Sequence, residues 1–261
     1  MLKPEDELRD LIDQNRPEQE YQAFLERHSR FIPREFVQNH GIHGRLVLAK
    51  LGMAKDYVSD FFYIAKSSGD TNYVLIELEK PSSRLFKANN DFHSDLYAGL
   101  NQIARWRTWF GNTANREAFV NSTLRPLQMY GMIGNPVFIK YVLVIGRRAE
   151  VAGNEFRRNL LASQEQHDFK ILSYDSLLED IDGKVPLYVG VRTNETYEIK
   201  TTEYLGEALF SLFSHAPERL RITQSLYDDA LAHRPDWSEL RSLSPKTYMM
   251  DVVLPKVQIA A

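Results

Sequence analysis

The sequence predicts an α/β fold in which a mixed central β-sheet is flanked by helices and followed by a C-terminal α+β extension. Three observations carry that prediction. Residues 45–51, 57–65 and 73–80 are consecutive apolar runs rich in β-branched and aromatic residues. An amphipathic helix follows over about 94–110, where Leu96, Leu100, Ile103 and Trp106 recur at helical spacing. Residues 137–145 are the most apolar segment of the chain, as suits a central strand covered on both faces.

Each element has its local reason. Residues 18–30 read as a helix because Tyr21, Phe24, Leu25 and His28 share one face. Ser67-Ser68-Gly69-Asp70-Thr71-Asn72 punctuates the second and third strands as a hairpin loop. Pro81 stops the third strand, since it cannot donate to the ladder. Ser94 is the expected N-cap of the long helix, and Gly111-Asn112 its end. Beyond the apolar strand, 154–166 reads as a helix, 169–173 as a strand and 175–182 as a short helix. Past Gly183, residues 185–192 and 196–201 form a hairpin around Thr193-Asn194-Glu195. Residues 205–214 and 217–233 are expected helices, and the apolar tail 248–257 is an expected strand. A boundary near 184 divides a domain of residues 1–184 from an extension of residues 185–261. An apolar strand usually finds an edge to pair with, so the extension is expected to mediate a homo-oligomer.

Composition excludes several classes. The 261 residues are 43% hydrophobic and 26% charged, the balance of an ordinary globular protein. No apolar run approaches the roughly 20 residues that span a bilayer, so no membrane partner is expected. There is no cysteine, which removes disulfides and thiolate metal sites. With the acidic, polar start Met1-Leu2-Lys3-Pro4-Glu5-Asp6-Glu7, this makes a cytoplasmic location the expectation. A net charge of −3 gives no global pull toward nucleic acid, so any DNA contact needs a local basic surface. Arg105, Arg107, Arg116, Arg147, Arg148, Arg157 and Arg158 are candidates for it, or are simply exposed arginines. The histidines have no metal-ligand spacing, and only His40 and His43 stand close. No phosphate-cradling glycine loop or nucleophile elbow supports an NTPase or a serine hydrolase.

The chemistry-bearing feature is Ile76-Glu77-Leu78-Glu79-Lys80-Pro81, an acidic cluster cut into an apolar strand. Side chains alternate along a strand, so Glu77 and Glu79 share the face of Leu75. They stand about 6.6 Å apart and repel by roughly 2–3 kcal/mol at a dielectric near 20. Asp60 lies in the preceding run; if the two runs pair, three carboxylates meet at one end of a sheet. A divalent cation turns that repulsion into a use, because hard cations take carboxylate oxygens. The plain alternative is a solvated strand face. Gln102 and Trp106, one turn apart on the long helix, place an amide where it can reach back toward the sheet end; a rim position is the alternative. Glu20 is a further acid, better read as solvated.

An aspartate on one strand, Glu-x-(Lys or a substitute) on the next and a helix bearing a glutamine resembles the PD-(D/E)XK nuclease superfamily. More specifically, the chain resembles the nuclease domain of Shedu-type anti-phage defence proteins. The matching pieces are Phe24-Leu25-Glu26, Leu51-Gly52-Met53, Ser59-Asp60-Phe61 and Glu77-Leu78-Glu79-Lys80-Pro81. Ala98-Gly99-Leu100-Asn101-Gln102-Ile103-Ala104-Arg105-Trp106, Val144-Ile145-Gly146-Arg147 and Leu172-Ser173-Tyr174-Asp175-Ser176-Leu177-Leu178 complete the set, over roughly residues 18–182. The resemblance implies a restriction-endonuclease-like core and Mg²⁺-dependent (or Mn²⁺-dependent) cleavage of DNA. It implies Asp60, Glu77 and Glu79 as metal carboxylates, and Asp60, Glu77, Glu79, Lys80 and Gln102 as the catalytic set. Two departures stand out. Glu79 occupies the lysine slot, with Lys80 one position later and on the opposite face unless a bulge re-aims it. Ser59 stands in the proline position. A catalytically degenerate DNA-binding or assembly module on the same scaffold is therefore the rival expectation. Phosphate chemistry alone does not separate DNA from RNA.

Overall fold

In a computed structural model, residues 2–124, 127, 134–201, 205–232 and 253–260 are described. The three apolar runs become β1 (Ile42–Met53), β2 (Tyr57–Lys66) and β3 (Thr71–Leu78), an antiparallel meander. The tight connection between β2 and β3 is closed by Ser67 donating its N–H to Asp70, 3.0 Å, and accepting N–H bonds from Gly69 and Asp70 on its hydroxyl. β4 (Val137–Val144) then runs parallel to β3, and β5 (Phe169–Leu172) parallel to β4. On the other side β6 (Tyr188–Thr193) lies parallel to β1 and forms a hairpin with β7 (Thr196–Thr201). β8 (Leu220–Thr223) and β9 (Gln258–Ala260) complete the order β5-β4-β3-β2-β1-β6-β7-β8-β9. The mixed α/β architecture expected from the sequence is thus present, and the sheet runs on without a break across position 184.

Each face of the sheet has its own core. On one side α3 (Ser94–Gly111) and α4 (Thr113–Phe119) bury Leu96, Ile103, Trp106 and Phe119 against Phe62, Tyr73, Leu75 and Leu143. α6 (Glu207–Leu212) extends the same layer over Leu46 and Leu48, while α5 (Glu155–Ala162) only borders it. On the opposite side α1 (Pro4–Asp13) and α2 (Glu18–Arg27) bury Leu8, Tyr21, Phe24 and Leu25 against Phe61, Val74, Ile76 and Val142.

Several local expectations need correction. α1 was not foreseen, because its apolar positions are only Leu8, Leu11 and Ile12. The cap of α3 is His93, whose ring accepts the Asp95 N–H at 3.3 Å, and Ser94 begins the helix. Leu100 is only partly buried. The helix expected over 154–166 stops at Ala162, and that over 175–182 is a 3-10 turn, Tyr174–Leu178. Residues 217–233 do not form one helix: Pro217–Arg219 is a 3-10 turn, Leu220–Thr223 is β8, and only α7 (Gln224–Ala232) is helical. His233 lies outside the described residues. So do 248–252 of the expected tail strand; Leu254–Lys256 is a 3-10 turn, and the strand is β9, parallel to β8.

Candidate functional site

The site arises where the β1–β2–β3 meander loses its regularity. Along β1, Val47 and Ala49 face the α1/α2 core, whereas Leu51 and Met53 face the α3 core. Strict alternation would keep all four on one side. The reversal happens at Lys50, whose φ of 50° is left-handed. In β2 the ladder to β3 ends with Phe61 opposite Ile76. Beyond it Asp60 substitutes for a ladder group: its Oδ2 accepts the Leu78 N–H at 2.7 Å.

Register then sets three side chains in a row. Ala49 pairs with Phe61 and Leu51 with Ser59, so Lys50 stands across from Asp60. Phe61 pairs with Ile76, which puts Glu77 across from Asp60 on the other flank. The Lys50 ammonium donates to Asp60 Oδ1. Both carboxylate oxygens of this buried aspartate are therefore engaged, one by a fixed backbone group and one by a movable cation.

The neighbouring acids bear the electrostatic consequence. Burial, reinforced by the charges of Asp60, Glu79 and Glu18, pushes the Glu77 carboxyl up to about 9. Burial, then Glu18 and Asp60, lifts Glu79 to about 7. Glu18, at the start of α2, is also raised, first by burial and then by Asp60. Burial works against a charge on Lys50, yet its hydrogen bond to Asp60 and the Asp60, Glu18 and Glu77 charges hold its ammonium above the ordinary lysine range. α2 is held onto the site by Gln22, whose Nε2 donates to the Asp60 carbonyl at 3.4 Å and to Glu26 at 2.9 Å. Tyr174 is fully buried with no hydrogen-bond partner for its hydroxyl. Burial, then the nearby Glu18 and Asp60, raises that phenol well above its usual value.

Asp60, Glu77 and Glu79 are thus brought into one electrostatic cluster. Glu79 is anchored just past β3 by its N–H bond to the Val144 carbonyl, 2.8 Å. Lys80 is exposed, close enough for its charge to be felt by Glu18 and Glu79. Gln102 is half-buried on α3 and hydrogen-bonds to none of these groups. Glu20 is turned away, ion-paired with Arg16 at 2.9 Å. Sequence reasoning does not bring Lys50 or Glu18 to the site, and it takes Tyr174-Asp175 as a helix cap after a strand. Lys50 and Glu18 look like ordinary surface residues in a one-dimensional pattern, and only register and the packing of α2 bring them in.

The expected basic rim is largely spent within the fold. Arg147 grips Asp175 through two nitrogens at 3.0 and 3.1 Å, and Arg148 pairs with Glu179. Arg107 pairs with Asp168 at 2.7 Å, while Arg157 bonds to Asn90 and to the carbonyls of Glu150 and Lys87. Arg105 instead lines an open groove beside Tyr57, Asn101, Thr108 and Trp109.

The donor set suits a hard divalent cation. The half-buried Glu77 and Glu79, both with raised proton affinity, stand beside buried Asp60, and the Lys50 ammonium already sits on that aspartate. Among the described residues, no three acidic or histidine side chains are drawn together to metal-binding distance. No helix among the described residues is long and apolar enough to cross a membrane. Comparison with curated proteins gives no match. A family profile does match, over residues 15–178, and its description is Shedu protein SduA, C-terminal.

Proposed function

The chain belongs to the Shedu protein SduA C-terminal family, a family of anti-phage defence, and we propose that it acts there as a metal-dependent nuclease of the PD-(D/E)XK type, cutting DNA. One observation carries the reading: two strands oppose Asp60 to Glu77 at the end of their ladder, with Glu79 close enough for its charge to act on Glu77 and to feel that of Asp60. A phosphodiester is anionic and resists attack, so its hydrolysis needs charge neutralisation and an activated water, which Mg²⁺ or Mn²⁺ supplies when bound. Asp60 and Glu77 would hold the cation, with Glu79 beside them as a further acid. Burial and mutual repulsion favour the protonated forms of Glu77 and Glu79, so a cation held there would displace protons. Lys80, exposed beside the acids, offers its ammonium to the phosphate backbone. Gln102 positions a carboxylate or a water from α3, and the Tyr174 hydroxyl offers an unused donor next to the acids.

The test is plasmid DNA incubated with Mg²⁺, Mn²⁺ or EDTA, wild type beside Glu77→Ala. Cleavage in either metal that vanishes with EDTA and in the variant is expected. Equal cleavage by wild type and Glu77→Ala would sink the reading. A second reading, a binding-only module on this scaffold, is favoured by Glu79 in the lysine slot; EDTA-sensitive nicking by the wild type eliminates it. We further propose that the chain works in the cytoplasm as a homo-oligomer built through its C-terminal extension. A monomer by light scattering at micromolar concentration refutes the assembly.

A further inference from the structure

A lysine ammonium occupies the one oxygen of Asp60 that the backbone leaves open. Oδ2 is committed to the Leu78 N–H inside the sheet, while Oδ1 is held by Lys50. The two partners differ in kind. The amide is fixed by the fold, but the Lys50 side chain is 49% exposed and carried on a flexible four-carbon stem. Its backbone is also unusual: Lys50 holds a left-handed φ of 50° in mid-strand, a conformation costly for a residue with a Cβ. The same residue donates its ammonium to Asp60.

We propose that Lys50 is the resident counter-ion of the metal site, and that its ammonium and the entering divalent cation compete for Asp60 so that Lys50 sets metal affinity. This inference rests on the metal-site reading above and concerns a positioning residue, since Lys50 acts through Asp60. The competition has a physical basis in charge number. One ammonium neutralises one unit of a cluster that includes Glu18, Asp60, Glu77 and Glu79, and a divalent ion neutralises two. In the absence of metal the ammonium keeps a buried carboxylate from standing unpaired. When metal arrives, the exposed stem lets the ammonium withdraw without any strand moving.

The experiment measures binding directly. The full chain, stripped with EDTA, is titrated calorimetrically with Mn²⁺ as wild type, Lys50→Gln and Lys50→Arg, with circular dichroism and melting recorded for each. Lys50→Gln removes the competitor and is expected to bind Mn²⁺ about tenfold more tightly. Its metal-free form melts below wild type, and its gain in melting temperature on Mn²⁺ addition exceeds that of wild type. Lys50→Arg keeps the charge and adds a forked donor, so its Mn²⁺ affinity is expected to fall about threefold. Equal or weaker binding by a folded Lys50→Gln overturns the proposal. Should Lys50→Gln fail to fold, Lys50→Arg decides, and tighter binding by it overturns the proposal. A wild type that binds no Mn²⁺ overturns both this inference and the metal-site reading. A wild type that binds Mn²⁺ in competition with Lys50 yet never cuts DNA sinks only the nuclease reading.

Discussion

At the scale of single residues, Glu77 carries the sharpest consequence. Its carboxyl holds a proton in the folded protein up to about 9, against an ordinary value of 4.5. The folded state therefore binds more protons than the unfolded one between those values, and stability falls as pH rises through that window. The contribution is fully present below the ordinary value and is lost as pH climbs through about 9. Discounted for solvent screening, the change from pH 6 to 9 is roughly 2 kcal/mol. For a chain of this size that is about 5 °C in melting temperature. Metal-free wild type is thus expected to melt lower at pH 9 than at pH 6, and Glu77→Gln, which cannot ionise, to show a flatter dependence. Thermal scans in EDTA check this, and a Glu77→Gln profile parallel to wild type refutes the assigned cause. That Asp60 and the 77/79 acids meet at one sheet end is legible in the sequence from two apolar runs joined by a short loop, but the register is not: the structure closes the turn at Ser67–Asp70, and counting back along each strand sets 60 against 77. Lys50 is not legible. Its part depends on a left-handed backbone that a lysine seldom adopts and that no pattern of apolar residues announces.

At the scale of elements, α3 is set against the sheet by a close approach. Gly99 lies over Leu143 of β4, and a Cβ built there would stand 2.9 Å from Leu143 Cδ2. Leu143 is fully buried and directly across from Glu77 in the β3–β4 register, so it has little room to yield. Gly99→Val is expected to cost about 1–3 kcal/mol as an overpacked core and to lower the urea midpoint accordingly. Gly111→Ala, at a helix end with open space around it, is expected to be neutral or slightly stabilising. Equal midpoints for the two variants would contradict the packing argument. The strands from β1 to β5 and the long helix can be read from the sequence because each has a strong apolar period and a punctuating Gly, Pro or Ser. β8 cannot. Leu220-Arg221-Ile222-Thr223 is four residues long and flows into a helical pattern, and what makes it a strand is its pairing with β7 and β9.

At the scale of the whole molecule, the question is whether residues 185–261 form a separable extension of the metal-site domain. β6 pairs with β1 from Leu46–Tyr188 to Ala49–Val191, so the strand that carries Lys50 has its other edge covered by the extension. The α3-side core likewise continues through Tyr188, Tyr197, Ile199, Leu209, Phe210 and Phe213. Fully burying a large apolar side chain contributes about 1.5–3 kcal/mol, so six of them, about 9–18 kcal/mol, are comparable with the roughly 5–15 kcal/mol by which a domain is usually stable. Cutting the chain after Lys184 would also bare the β1 edge, a row of unpaired amides and carbonyls next to exposed Leu46 and Leu48. The truncated chain is therefore expected to aggregate or to melt without a cooperative transition, and to lose Mn²⁺ binding along with its fold. Expression of residues 1–184, followed by size-exclusion chromatography and a thermal scan, checks this. A soluble fragment that unfolds cooperatively and still binds Mn²⁺ would mean that β1 holds Lys50 against Asp60 without help from β6, and that the acids need only the first five strands and their helices.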